Sequence, residues 1–119
     1  MKCNYCGQEA KWVENKEVYG RNYGKSYMIW LCRDCDAYVG CHNNTKIPKG
    51  NYLANIILRE ARIKAHSVID PLWQSHKYKR RTVYLRLKEA FSEEVHIGAT
   101  KTPEECEEII KTANLIFLR

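Results

Sequence analysis

Cys32-Arg33-Asp34-Cys35-Asp36-Ala37-Tyr38-Val39-Gly40-Cys41-His42 contains one Cys-x2-Cys knuckle, and Cys3-Asn4-Tyr5-Cys6-Gly7 contains another, 25 residues upstream. In each knuckle a tight turn brings two thiolates to one side. The small residue that follows, Gly7 after Cys6 or Ala37 two beyond Cys35, leaves room for backbone amides to approach sulfur. Four thiolates select a soft tetrahedral ion, and the spacing lacks the close clustering of bacterial ferredoxins, so the expected ion is zinc held by Cys3, Cys6, Cys32 and Cys35. Such a shell has no open position for water. Its expected role is structural, tying the two ends of a ribbon together and contributing folding energy. Paired disulfides are the competing use of six cysteines. The start Met1-Lys2-Cys3 is not an apolar signal segment and no long apolar run follows, so a cytoplasmic, reducing location and no membrane association are expected.

Between the knuckles, Trp12-Val13, Val18-Tyr19 and Tyr27 to Leu31 have β character, and Gly20 to Gly24 interrupts the last two. They predict a small antiparallel meander or hairpin. The period then changes. Leu53, Ile57, Ala61, Ala65 and Val68 recur every three to four residues and predict a helix from about Leu53 to Ile69. Asp70-Pro71 predicts its end and the start of a second helix, with Asp70 as N-cap, Pro71 at the first helical position, and Val83, Leu87 and Phe91 on one stripe. Thr102-Pro103-Glu104-Glu105 is a capping-box sequence opening a third helix through Cys106, Ile109, Ile110, Ala113 and Phe117. The expected fold class is α+β: a small zinc-ribbon-like antiparallel sheet followed by about three helices. The chain is read as a single domain, residues 1–119, with residues 1–45 as the ribbon part and residues 50–119 as a helical part sharing its core.

With 119 residues, 45% hydrophobic and 29% charged, the chain is long enough for one ordered core and too short for a dinucleotide-binding or barrel enzyme. The formal charge of +6 is uneven: residues 44–92 hold eleven basic and three acidic residues, whereas residues 93–119 hold three and six. Lys77, Lys79, Arg80, Arg81, Arg86 and Lys88 lie beside Trp73, Tyr78 and Tyr84. Cations neutralise phosphates and an exposed ring such as Tyr78 stacks on an unpaired base, so this segment is the candidate DNA- or RNA-binding surface, with Arg21, Tyr23 and Lys25 as an extension. A solvated helix face with its aromatics inside is the plain alternative.

Cys41, His42, His66, Asp70 and His96 are the residues a mechanism would need. His66 and Asp70, four apart, share a face if the helix persists, and with His42 and His96 they are the candidates for a second metal or for a histidine base in metal-dependent phosphodiester hydrolysis. Capping by Asp70, burial of Cys41 and ordinary polar packing explain the same residues, so catalysis is the less favoured reading. The apolar run Leu115-Ile116-Phe117-Leu118 must face all sides of a helix. It is covered by the core, by a second copy or by a protein partner, which makes a protein-interaction or host-factor inhibitor module the other alternative.

Cys32-x2-Cys35-Asp36-Ala37-Tyr38-Val39-Gly40-Cys41-His42-x2-Thr45, followed by Leu53-Ala54, Arg62-x3-His66, Asp70-x-Leu72-Trp73 and His96-Ile97-Gly98, resembles the zinc-finger-containing domain of unknown function found in small bacterial and phage or prophage proteins. The resemblance runs from Cys3 to about Gly98, with Pro48-Lys49-Gly50 standing where a typical member has Pro-Leu-Gly. It implies zinc and a bacterial or phage source, and no activity.

Overall fold

The computed structural model describes residues 1–43 and 45–117, which form two compact units, Met1–Ile56 and Ile57–Arg119. The first unit is a three-stranded antiparallel sheet of order β1-β2-β3, with β1 (Lys11–Glu14), β2 (Met28–Cys32) and β3 (Ala37–Gly40). Trp12 pairs with Trp30 across β1 and β2, and Cys32 pairs with Ala37 across β2 and β3. Alternation along β2 buries Ile29 and Leu31 and leaves Met28 and Trp30 half-buried, as a strand with one covered face requires. Cys3, Ala10, Cys32, Ala37 and Leu53 close the core, with Met1, Trp30, Cys35 and Val39 packed against it.

The small antiparallel sheet is as expected, with two differences. Val18 and Tyr19 are not strand residues but part of the one-turn helix α1 (Lys16–Tyr19). The Asn15 carbonyl takes the amides of both, and Gly20, at φ 84°, supplies the left-handed residue that stops the turn. The third strand, Ala37–Gly40, lies beyond the second knuckle and so outside the meander expected between the two cysteine pairs.

Side chains hold the segments that follow. Asn4 grips Leu53 at two points: its Nδ2 donates to the Leu53 carbonyl at 3.1 Å and its Oδ1 accepts the Leu53 amide at 2.6 Å. Trp12 and Trp30 donate their indole N–H groups to the carbonyls of Thr45 and Lys46, at 3.2 and 2.8 Å.

The second unit holds α2 (Ile56–Gln74, whose first residue closes the first unit), α3 (Arg80–Phe91), a 3-10 turn at Ile97–Ala99 and α4 (Pro103–Phe117). Thr102 caps α4 as expected, the Glu105 amide donating to Thr102 Oγ1 at 3.2 Å, while the Glu105 carboxylate reaches one residue past the cap to take the amide of Lys101 at 3.0 Å. No helix among the described residues is long and apolar enough to cross a membrane.

The first expected helix differs at both ends. Leu53 is fully buried but lies outside the helix, held by Asn4, and Ala54 bridges to Tyr38. Asp70-Pro71 does not stop α2, and Asp70 caps nothing, since Pro71 lies inside the helix. Proline deletes the amide that would bond the Ser67 carbonyl and crowds that turn. Continuation is favoured because Leu72 extends the buried stripe of Leu58, Ala65 and Ile69. The stop falls at His76, in the left-handed conformation at φ 62°, with the Tyr78 amide returning to the Leu72 carbonyl at 3.0 Å.

Replacing Pro71 with Ala restores the missing bond and should raise the unfolding free energy by about 1–3 kcal/mol in chemical denaturation. A lower midpoint would show that the chain needs a break at this position.

Candidate functional site

Each knuckle is built by its own backbone. In the first, the Cys3 amide donates to the Gln8 carbonyl at 2.8 Å, the Gly7 amide to the Cys3 carbonyl at 2.9 Å, and the Tyr5 amide to Cys3 Sγ at 3.4 Å. Gly7 sits at φ 77°, where a Cβ would strain the turn. In the second knuckle the left-handed position is Asp36, at φ 49°, and its amide reaches the Arg33 carbonyl at 3.2 Å. Ala37 is instead the buried residue that pairs with Cys32. Aspartate tolerates this conformation better than most side chains.

The turns bring Cys3, Cys6, Cys32 and Cys35 together, with all four sulfurs within 4.8 Å of one another and Cys6 Sγ 3.7 Å from Cys32 Sγ. A regular tetrahedron with zinc–sulfur bonds of 2.3 Å has edges of about 3.8 Å, so the donor set and its size fit zinc. These residues would hold the ion through four thiolates, and it would supply cross-linking rather than a reactive water.

The electrostatics need such a cation. Burial would push the Cys3 thiol up, but the amides of Tyr5 and Cys6 together with hydrogen bonds from the Cys32 and Cys6 thiols hold it below its ordinary value. The Cys32 thiol is raised, despite the Cys35 amide, by burial and by the neighbouring sulfurs of Cys6 and Cys3. Cys35 is pushed up to about 12, first by the sulfur of Cys6 and then by burial. Like charges crowded together disfavour ionisation, and a divalent cation reverses that preference.

The remaining candidates are dispersed. His66 Nδ1 lies 3.2 Å from Asp70 Oδ1 across one turn of α2, an exposed pair. His42 is exposed, its amide donating to the Ile47 carbonyl at 2.9 Å. His96 lines a cleft of about 510 Å³ with Glu93, Glu94, Glu105 and Ile109. Cys41 is fully buried, and burial pushes its thiol up. Among the described residues, the four cysteines are the one group of three or more His, Cys, Asp or Glu able to share an ion.

Lys77, Lys79, Arg80, Arg81, Arg86 and Lys88 are all exposed on α3 and the loop before it. Lys88 meets Glu94 at 3.0 Å, whereas the others pair with no carboxylate among the described residues. Several lie on rings: Arg80 over Tyr84 at 4.8 Å and Trp73 at 5.7 Å, and Arg86 over Tyr78 at 5.4 Å. Tyr78 packs edge-on against Phe117 with ring centres 5.2 Å apart. At the end of α4, Phe117 is buried, Ile116 half-buried and Leu115 exposed, and Leu118 lies outside the described residues.

A family model for a zinc-finger-containing domain, DUF3268, matches residues 1–115. No curated protein and no solved structure matches the chain. The match takes in α4 to residue 115, so the acidic C-terminal helix belongs with the domain, beyond the Gly98 limit that the motifs suggest.

Cys6→Ser should leave less than one zinc per chain. The indole N–H resonances of Trp12 and Trp30, held by loop carbonyls, should collapse toward random-coil positions; full zinc content with unchanged spectra would refute the ligand set. Because Cys32 and Cys35 are protonated at neutral pH in the ion-free cluster, zinc loading there must release protons, roughly two or more per ion. Apparent affinity should therefore rise with pH and fall on acidification, as read by titration with a chromophoric chelator. An affinity independent of pH would contradict thiolate ligation.

Proposed function

Since the chain belongs to the zinc-finger-containing domain family DUF3268, we propose that its ribbon is a zinc-stabilised scaffold and that the protein binds nucleic acid through the basic start of α3. The observation that supports this reading is the placement of cations at the wrong end of a helix. Lys79 is the N-cap of α3, Arg80 and Arg81 follow it, and no acidic residue lies in the first turn. A helix N-terminus carries partial positive charge, so each cation there is unfavourable by about 0.3–1 kcal/mol instead of stabilising. Lys79 also makes no side-chain capping bond, which leaves first-turn amides to other acceptors. Phosphate answers both features.

A polyanion rather than a single phosphate suits the wider charge: eleven basic against three acidic residues over 44–92. Four zinc-bound thiolates leave a formal −2 at the site, so the loaded protein falls from +6 to +4 and remains cationic. Binding is electrostatic docking with counterion release, in a reducing cytoplasm where the thiolates stay free to hold metal. A host-factor inhibitor or other protein-binding module predicts instead a stable complex with little salt dependence.

Arg80 packs on Trp73 and Tyr84, so replacing it would disturb packing as well as charge. Lys79 and Arg81 are the cleaner probes. Lys79→Gln with Arg81→Gln should weaken binding to DNA or RNA and reduce the slope of log affinity against log salt by about one unit per lost phosphate contact, while the thermal midpoint rises slightly as two cations leave the helix N-terminus. An unchanged slope would remove this surface from the interface.

A further inference from the structure

We infer that the loop after α1 is a stacking notch for an unpaired nucleobase, which makes single-stranded nucleic acid the ligand class. This rests on the nucleic-acid reading above. Tyr19 and Tyr23 are 48% and 47% exposed, with ring centres 5.5 Å apart and planes at 90°. With Asn15 and Gly24 they line a cleft of about 500 Å³. Two perpendicular rings give a base one aromatic face to stack on and a second ring to abut.

The notch is held rigid by groups that do not fill it. Asn15, a buried polar residue, donates from Nδ2 to the Tyr23 carbonyl at 2.9 Å and accepts the Tyr23 amide on Oδ1 at 3.0 Å. The Tyr19 hydroxyl pairs with that of Tyr38 at 2.9 Å, and the Tyr38 ring stands edge-on to Tyr19 at 6.1 Å. Asn22 Oδ1 accepts the Lys16 amide at 3.0 Å. Pre-ordered rings lose little freedom on binding, which is what stacking needs to yield affinity.

Charge selects the occupant. From Gly20 to Ser26 the loop carries Arg21 and Lys25 and no acidic residue. The Arg21 guanidinium lies over the Tyr23 ring, 4.7 Å from its centre, so it covers one face of that ring and places a phosphate-binding cation against the aromatic surface. Alternating π-faces and cations match the alternating bases and phosphates of a single strand. Tyr78, by contrast, is packed against Phe117 and flanked by Lys77 and Arg86.

The test uses the zinc-loaded full chain and fluorescein-labelled oligo-dT and oligo-U of about 12 nucleotides, with a duplex of equal length as the control. Tyr23→Leu and Tyr19→Leu should each weaken single-strand binding about 10-fold or more while leaving zinc content and duplex binding unchanged. Tyr19→Phe, which keeps the ring and loses the hydroxyl bond that steadies it, should fall by much less than Tyr19→Leu. Leucine variants with parental single-strand affinity would overturn the notch while leaving the basic helix as the interface. Tyr19→Phe falling as far as Tyr19→Leu would overturn stacking in favour of the hydroxyl. A parent chain with no salt-dependent affinity for any of the three probes would overturn the nucleic-acid reading, and the notch with it.

Discussion

Four sulfurs confined within 4.8 Å of one another cannot all ionise without a cation between them, and the first unit is organised around that constraint. Cys3 and Cys32 are buried in the same core as Ala10, Ala37 and Leu53, so the metal cluster and the apolar core are one object. A unit covering Met1–Ile56 is near the size at which burial alone becomes marginal. The energy of metal binding supplements that burial directly, because no preformed site exists in the unfolded chain. The strands register on the same point: β2 ends at Cys32, and β3 begins at Ala37, its pairing partner.

Outside the strands, the first unit satisfies its backbone by side-chain mimicry. Asn4 and Asn15 each present an amide to a single residue, Leu53 and Tyr23, and make with it the two bonds a neighbouring strand would make. Trp12 and Trp30 do the same for single carbonyls in the loop after β3. Leaving such groups unpaired in a part-buried setting costs about 1–3 kcal/mol each, so these contacts determine where the loops lie. The device that fixes an apolar residue in the core at Leu53 fixes an exposed aromatic one at Tyr23.

The knuckles, β2, the stripe of α3 and the Thr102 cap of α4 were legible because each is set by residues close in sequence with a fixed spacing. Features decided at a distance were not. Val18 and Tyr19 have strand propensity, but Asn15, committed to Tyr23, and Gly20, able to take φ 84°, make a helical turn there. Leu53 fits the helical period but stays outside the helix, where Asn4, 49 residues away, takes both its backbone groups. Asp70-Pro71 reads locally as a stop, and the burial of Leu72 overrides it. No sequence rule marks His76 as the left-handed stop, since glycine or asparagine is the usual signal. For the candidate surfaces, the cations were readable from composition, but which rings stay open was not. Tyr78 and Tyr23 look alike in sequence, each beside basic residues, and only packing separates them.

That separation bears on how a cationic protein uses its aromatics. On α3 the rings lie beneath guanidinium groups, Arg80 on Trp73 and Tyr84 and Arg86 on Tyr78, so the arginines are steadied by the faces they cover. A steadied guanidinium loses less freedom when it meets a phosphate, and its ring has a face already occupied. In the ribbon loop Arg21 also lies over a ring, that of Tyr23 at 4.7 Å, and a buried asparagine and a tyrosine hydroxyl pair steady the rings in addition. Both surfaces carry arginine on aromatic rings, and the ribbon loop leaves its two tyrosines about half exposed whereas Tyr78 and Tyr84 are less so. A strand of nucleic acid is a ligand that offers phosphate and base in every repeat, which is why the two surfaces support one reading.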